Sequence, residues 1–230
     1  MNTPHISEQF DAELDAVRGL LMEMGGLVEQ QLHDAAQALI SQDDELAGKV
    51  RSSDARVNQL EIDIDEQCIH IIARRQPAAS DLRTLITVMK ASTDLERIGD
   101  EAGRVAKMAQ AVSGMEYPAD QYNDFRHIAS LTEEILTRSL DAFARLDVDG
   151  ALQVIESDEA IDQAYNAIVR ERGTTMRKDA SGIDRAMNVI WAARALERIG
   201  DHAKNLSEYV VFLVKGKDVR HSEKRRASAS

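Results

Sequence analysis

One block of six residues occurs twice in this chain. Leu95-Glu96-Arg97-Ile98-Gly99-Asp100 is repeated letter for letter at residues 196–201, whereas the flanking residues of the two copies differ. The chain is therefore a duplication in which this block was retained. In each copy a Glu and an Asp lie four positions apart, which stacks them one turn apart on a helix. Like charges at this spacing repel unless a cation lies between them, and the simplest cation is a metal ion.

Apolar residues recur every three or four positions over most of the chain, which predicts amphipathic helices. Only 4% of the residues are aromatic and there are three prolines, which also favours helices over sheets. Each half contains three such stretches of about 25–35 residues, or roughly 40–50 Å of helix. The sequence therefore predicts an all-α fold of six long antiparallel helices, arranged as two tandem three-helix bundles.

Three helices are predicted in the first half. The first is defined by one apolar face, namely Phe10, Leu14, Val17, Leu21, Met24, Val28, Leu32, Ala35 and Leu39. The second is expected to be entered through Ser41 and Asp44 and to stop before Pro77. The third is expected to begin near Ser80 and Asp81, which are suitable N-cap residues, and to end near residue 114.

The second half repeats this plan. One helix is expected at about 123–146, a second from the turn at 147–150 to Met176, and a third from near Ser181. The third has one apolar stripe, made of Met187, Trp191, Ala195, Ile199, Ala203, Leu206, Val210 and Leu213. Residues 217–230 show no apolar period and are expected to be disordered. The predicted units are therefore residues 1–114, 115–216 and 217–230.

The net charge and the lack of targeting signals argue against several classes of protein. A formal net charge of −12 argues against a nucleic-acid-binding protein, which needs a basic surface for the phosphates. No stretch approaches the ~18 apolar residues of a membrane span, and the first residues lack the features of a signal peptide. We therefore expect a cytoplasmic protein. The single cysteine, Cys68, excludes an intrachain disulfide and is expected to be a buried apolar residue.

The repeated acidic residues are the candidate metal ligands. A helical projection from Ile98 places Glu96 and Asp100 opposite the apolar stripe, so they should face outward. A second polar pair, also spaced i, i+4, precedes each block. Two adjacent helices that each present such a pair would form an all-oxygen site for a cation. The candidates are Asp54, Asn58, Glu96 and Asp100 in the first half and Asp158, Asp162, Glu197 and Asp201 in the second. Asn58 adds no charge, so the first site should be weaker or differently filled.

Each of these features has a simpler explanation that the sequence leaves open. Exposed carboxylates on a helix are usually a solvated surface. Asp54 and Asp158 could cap the starts of their helices. Gly99 and Gly200, which cost stability in mid-helix, could serve close helix packing rather than a ligand.

Signals of catalysis are weak. The histidines are not part of the repeated design, because His202 follows the second block where Glu101 follows the first. The sequence contains no glycine-rich phosphate loop and no nucleophile elbow. We therefore expect no catalytic activity.

The repeated blocks and several other segments of the chain resemble the PhoU family of bacterial phosphate-signalling accessory proteins. The resemblance extends over nearly the whole length. Its most specific part is the pair of repeated blocks, the second continuing through Asn205. Further matching segments are residues 10–14 (FDAEL), 24–29 (MGGLVE) and 75–83 (RQPAASDLR).

The resemblance implies two three-helix bundles related by pseudo-two-fold symmetry, with one surface metal cluster in each repeat. Asp158 and Asp162 fit the family's partner motif, whereas Asp54 and Asn58 fit it only in part. Iron or zinc is the implied metal, and a homodimer is the implied oligomer. The resemblance also implies repression of the phosphate-starvation response when phosphate is plentiful. The implied partners are the ATPase subunit of the phosphate ABC transporter and a membrane sensor histidine kinase, so that the protein is peripheral to the inner membrane through its partners only.

Three hypotheses about function follow. The first is a signalling adaptor whose acidic faces and metals form docking surfaces. The second is a metalloenzyme that uses the carboxylate clusters for hydrolytic or redox chemistry. The third is a metal-free helical scaffold in which the repeated block serves packing alone.

Overall fold

The computed structural model describes residues 8–115, 122–178 and 180–216, and these residues form helices without any strand. The helices are α1 (Glu8–Ser41), α2 (Asp44–Arg75), α3 (Ala79–Val112), α4 (Asn123–Arg145), α5 (Val148–Ser157), α6 (Glu159–Lys178) and α7 (Ile183–Lys215). A short 3-10 turn, Ala180–Gly182, precedes α7. The predicted unit boundary between residues 114 and 115 falls between α3 and α4. The predicted disordered tail, residues 217–230, lies outside the described residues.

The helices pack as two bundles that meet through equivalent elements. Helices α1, α2 and α3 contact one another, and α4, α5 and α6 all contact α7. Between the bundles, α3 packs on α7 and α1 packs on α4. Equivalent helices therefore contact each other, as expected when two similar units are related by a two-fold axis. The predicted all-α fold of two tandem three-helix bundles is confirmed.

Helix ends follow local capping chemistry at some positions and not at others. The carboxylate of Asp43 accepts a hydrogen bond from the Leu46 amide at 2.9 Å, so this residue caps α2. Asp147 caps α5 in the same way through the amides of Asp149 and Gly150. The prediction that Ser80 and Asp81 cap α3 is wrong. Helix α3 begins at Ala79 after the extended residue Ala78, without a side-chain cap.

The second predicted helix of the second bundle is divided into two helices, α5 and α6. The prediction gave a single helix to Met176, but the helix ends at Ser157 and α6 begins at Glu159. Asp158 between them keeps helical dihedral angles, and its carbonyl accepts a hydrogen bond from the Ile161 amide at 3.0 Å. This i, i+3 bond tightens the turn locally.

The buried face of α1 agrees with the predicted apolar series, because all nine of its residues are buried. The predicted stripe on α7 is correct only from Ala195 onward. Trp191 is 62% exposed and Met187 is 38% exposed, although both continue the period of the buried residues. None of the described helices is long and apolar enough to cross a membrane.

Cys68 is fully buried on α2, and its Sγ lies 3.9 Å from the Leu85 carbonyl oxygen. Burial, with a smaller contribution from Asp65, raises the pKa of the Cys68 thiol to about 12. Because the thiolate is the reactive form, we expect iodoacetamide to modify native protein at neutral pH far more slowly than urea-unfolded protein. Mass spectrometry of both samples measures this difference. Equal rates would contradict a buried thiol.

Candidate metal-binding clusters

The first acidic cluster, which comprises Asp54, Asn58, Glu96 and Asp100, lies where α2 packs against α3. Asn58 Nδ2 donates to Asp54 Oδ2 at 3.2 Å. The remaining oxygens of this pair, Asp54 Oδ1 and Asn58 Oδ1, are buried without a hydrogen-bond partner. Buried oxygens in this condition are costly. The cluster therefore has oxygen lone pairs that a cation could satisfy.

Gly99 allows α1 and α2 to approach the repeated block closely. A Cβ atom at this position would lie 3.1 Å from Gln31 Oε1 and 3.7 Å from Asp54 Oδ1. Gln31 Oε1 is itself buried without a hydrogen-bond partner, while its amide nitrogen donates to Ser53 Oγ at 2.9 Å. Gln31 is thus a further oxygen beside the first acidic cluster. Sequence patterns do not indicate this role, since Gln31 belongs to neither repeated motif.

The second acidic cluster, which comprises Asp158, Asp162, Glu197 and Asp201, occupies the equivalent place between α6 and α7. A Cβ atom at Gly200 would lie 2.8 Å from Ile161 Cδ1 and 3.5 Å from Asp158 Oδ1. At Gly99 and Gly200, therefore, close helix packing and proximity to a carboxylate occur together. The two explanations of the repeated glycine are not exclusive.

Basic side chains enter the second acidic cluster. Lys204 Nζ donates to Asp158 Oδ2 at 2.8 Å, and Arg194 Nη1 donates to Glu197 Oε1 at 2.5 Å. The residue equivalent to Lys204 in the first repeat is Gly103. The two clusters therefore differ in two ways, because the second has one more carboxylate and also an internal ammonium group.

Glu197 departs from the expected outward position. It is only 9% exposed, and its Oε2 is buried without a hydrogen-bond partner. The projection assumed one buried stripe, whereas α7 is packed against α3, α4, α5 and α6. Glu96, Asp100 and Asp201 are partly or largely exposed, in agreement with the projection.

In each cluster, burial and neighbouring negative charges raise the pKa of two carboxyl groups. Burial, followed by the charge of Asp100, raises the pKa of both Asp54 and Glu96 above the usual values. Burial, followed by the charge of Asp201, raises the pKa of Glu197. Burial, followed by the charges of Asp158 and Asp162, raises the pKa of Asp201. The carboxylates of each cluster therefore lie close enough for their charges to interact.

The described part of the chain does not contain three His, Cys, Asp or Glu side chains already arranged as a set of metal ligands. In the second acidic cluster, Asp158 is turned toward Lys204 and Glu197 toward Arg194. A cation at this site would have to compete with these two basic side chains.

A pH dependence follows from the raised pKa of Glu197. Its unfolded value is near 4.5, so the native state binds the proton more tightly than the unfolded state does. The cost of the buried charge is therefore full above the native pKa and disappears as pH falls toward 4.5. We expect wild type to be less stable than Glu197→Gln near pH 7 in chelator, with the difference shrinking toward pH 5. Urea unfolding at several pH values measures this, and a constant difference would contradict the assignment.

The capping explanation is excluded for Asp54, which lies in the interior of α2. Asp158 does precede α6, but its side chain is bonded to Lys204. The explanation as a wholly solvated surface is excluded for Glu197 by its burial.

A buried polar network joins the two repeats where α3 crosses α7, and the sequence did not reveal it. Asp94 is 4% exposed, and His202 Nδ1 lies 2.7 Å from its Oδ1. Asn205 Nδ2 lies 3.2 Å from the same oxygen, and the Tyr209 hydroxyl donates to Oδ2 at 2.8 Å. His202 was set aside because it is not repeated. The network occurs once and not twice, because the second repeat has Ala195 at the position equivalent to Asp94.

These features define a class of protein, an all-α duplication in which each three-helix bundle presents an acidic pair of helices. The family model described as PhoU domain matches residues 21–109 and again 125–210. The chain belongs to the PhoU family.

Relatives and solved structures support this assignment over nearly the whole chain. The phosphate-specific transport system accessory protein PhoU homolog of Pseudomonas aeruginosa is 52% identical, covering 95% of this chain and 90% of the relative. The phosphate-specific transport system accessory protein PhoU of Escherichia coli is 42% identical, covering 94% and 90%.

Two crystal structures have the same fold. PhoU from Pseudomonas aeruginosa matches with a TM-score of 0.88 and 50% identity, covering 90% of this chain and 100% of that one. The phosphate transport system regulatory protein PhoU from Streptococcus pneumoniae matches with a TM-score of 0.84 and 30% identity, covering 91% and 99%.

Proposed function

We propose that this protein is a non-enzymatic accessory regulator of a phosphate-specific transport system. The observation that supports this most strongly is the 42–52% identity, over nearly the whole chain, to accessory proteins of such systems. The duplicated acidic clusters agree with a protein that acts by binding. The neighbours of their carboxylates are other carboxylates and basic side chains, and no nucleophile is placed beside them in the described residues.

The finer proposal is that the protein is an adaptor. It links the ATPase subunit of the phosphate ABC transporter to a sensor histidine kinase of a two-component system. Through this link it represses the phosphate-starvation response when phosphate is plentiful. Its place of action is the cytoplasmic face of the inner membrane, which it reaches through these partners, and its oligomeric state is a homodimer.

Deletion of the gene in a strain with a phosphate-starvation promoter reporter tests the adaptor proposal. We expect constitutive reporter expression at high phosphate, and restored repression when the wild-type gene is supplied. Repression that persists in the deletion strain would contradict the proposal. A vector without the gene is the control for the complementation.

We also propose that the two acidic clusters bind iron or zinc. The donors are all oxygen, and three of them are buried without a partner, namely Asp54 Oδ1, Asn58 Oδ1 and Glu197 Oε2. Carboxylate and amide oxygens suit hard and borderline cations. A bound cation would neutralise the carboxylates and cross-link neighbouring helices. The second acidic cluster has four carboxylates against three and should bind more tightly once the cation displaces Lys204 and Arg194 from Asp158 and Glu197.

Metal analysis of the purified protein, before and after chelation, tests this second proposal. The quadruple variant Glu96→Ala, Asp100→Ala, Glu197→Ala and Asp201→Ala should lose the metal and fail to restore repression in the deletion strain. If wild type holds no metal and the quadruple variant still restores repression, the metal-free scaffold is the better description. If the variant keeps the metal of wild type, these four residues are not its ligands. Robust metal-dependent phosphatase or oxidase turnover would instead favour the metalloenzyme.

A further inference from the structure

A groove with a volume of about 590 Å³ lies between α3 and α7 on the side that also exposes α6. Its apolar lining includes Met108, Ile190 and Trp191, and its rim is basic. The groove borders the second acidic cluster, because Arg194 also donates to Glu197 Oε1 at 2.5 Å. Arg194 lies 5.6 Å above the Tyr165 ring at one edge, which fixes an aromatic and cationic corner.

An exposed apolar stripe on α7 extends this groove. Ile183, Met187 and Trp191 follow one another at steps of four and are 40%, 38% and 62% exposed. Single exposed apolar residues are ordinary, but three in line beside an apolar groove form a patch of the kind that binds a partner. Eight residues of helix correspond to about 12 Å. This length accommodates about two turns of a helix from another molecule.

The charge of the groove is opposite to that of the whole protein. Four basic residues line it, Arg104, Lys107, Arg194 and Arg198, against one acidic residue, Glu101. The Glu101 carboxylate is already shared, because Arg104 Nη1 and Arg198 Nη1 lie 2.6 and 2.9 Å from its Oε1. Arg194 is likewise paired with Glu197 at 2.5 Å. Four basic side chains against these two carboxylates still make the groove net positive, on a chain of net charge −12. Nucleic acid or an anionic membrane would extend beyond this groove onto the negatively charged surface around it, whereas a short peptide helix would not.

The equivalent groove on the other side of the α3–α7 contact lacks these properties. Its lining balances Lys90 and Arg97 against Asp65 and Asp94. Lys90 occupies the position equivalent to Trp191. The duplication thus placed two grooves on the protein, and only one of them combines an exposed aromatic residue with an excess of basic side chains.

We infer that the Trp191 groove binds an acidic amphipathic helix of a partner protein. The apolar face of that helix lies on Trp191 and Met187, and its carboxylates face Lys107 and the arginines. A small anion alone would leave the apolar floor uncovered, so an apolar face with flanking carboxylates fits the groove better. This site is additional to the metal clusters and does not depend on which partner the accessory role requires.

Trp191 is the only tryptophan of the chain, so its fluorescence reports directly on the groove. The probe is a synthetic peptide of about two heptads, with Leu at the core positions and Glu at the flanking ones. Its counterpart has Lys in place of every Glu. We expect the Glu peptide to shift the Trp191 emission to shorter wavelength with saturation, and the Lys peptide to leave it unchanged.

Variants separate the groove from general electrostatics. Lys107→Glu should weaken binding of the Glu peptide at least about tenfold, whereas the matched reversal Lys90→Glu in the equivalent groove should leave binding unchanged. Trp191→Ala, read by anisotropy of a labelled peptide, should weaken it by about 30-fold. Circular dichroism checks that each variant is folded.

Several outcomes would overturn the inference. These are no saturable change with the Glu peptide, equal binding of the Lys peptide, or equal effects of Lys107→Glu and Lys90→Glu. A response to ATP or to anionic lipid vesicles in place of the peptide would assign the groove to those ligands. An emission shift that depends on protein concentration alone would assign it to a second copy of the chain. All these measurements are made without phosphate or transporter. A negative result would therefore contradict the groove inference alone, and the adaptor proposal would still be tested by the reporter strain.

Discussion

In chelating buffer, Glu197→Gln is expected to be more stable than wild type, and in zinc-containing buffer less stable. Glu197 is buried beside Asp201, and its Oε2 has no hydrogen-bond partner. Removing this charge relieves repulsion at the cost of a weaker hydrogen bond from Arg194, which is half-exposed. Because such a half-exposed pair contributes little, we expect a net gain of about 0.5–1.5 kcal/mol in the free energy of unfolding.

Zinc should reverse the order of stability. A ligand that binds only the native state adds about 2.7 kcal/mol at a concentration 100 times its dissociation constant. Wild type should gain this stabilisation, and Glu197→Gln should lose most of it because an amide adds no charge to the site. Urea unfolding of both proteins in the two buffers measures the crossing.

A matched surface change shows whether the effect is specific. Glu171 is an exposed residue of α6, and Glu171→Gln should change stability by no more than about 0.5 kcal/mol in either buffer. If zinc stabilises wild type and Glu197→Gln equally, Glu197 is not a ligand. If zinc stabilises neither protein, the second acidic cluster does not bind this metal.

Much of the fold could be predicted because its determinants are local. The apolar series of α1 lies on a buried face, and all nine residues that the period identified are in the core, although Ala36, Ala38 and Ile40 are buried as well. Asp147 also marks its helix start through a hydrogen bond within its own turn. The interruption at Asp158 was missed because its backbone remains helical and the residue type gives no signal.

The positions that sequence periodicity misplaced lie on α7, a helix packed on several sides. Trp191 continues the buried period and is exposed, whereas Glu197 was expected outside and is buried. A projection from one helix does not include the neighbours that cover its other faces. The acidic clusters were foreseen as residue sets, because the i, i+4 spacing is local. Their basic partner Lys204 was not, because Gly103 replaces it in the first repeat.

Asp94→Ala is expected to lower the free energy of unfolding by about 2–4 kcal/mol, a large effect for one residue. Asp94 on α3 accepts hydrogen bonds from side chains of α7, including the Tyr209 hydroxyl at 2.8 Å and Asn205 at 3.2 Å. Truncation leaves buried donors, His202 among them, without this acceptor. Urea unfolding measures the loss. Asp15→Ala, on the exposed surface of α1, should change stability by no more than about 0.5 kcal/mol.

The variant Asp94→Asn separates the hydrogen bonds from the charge. Its amide oxygen can still accept from one donor, but its amide nitrogen faces donors where the carboxylate had a second acceptor. We therefore expect the free energy of unfolding of Asp94→Asn to lie between that of wild type and that of Asp94→Ala. Because Asp94 joins α3 to α7, the loss should appear in the contact between the bundles, as faster amide hydrogen exchange along both helices. If Asp94→Ala is as stable as Asp15→Ala, or if exchange quickens in the first bundle alone, the network does not hold the repeats together.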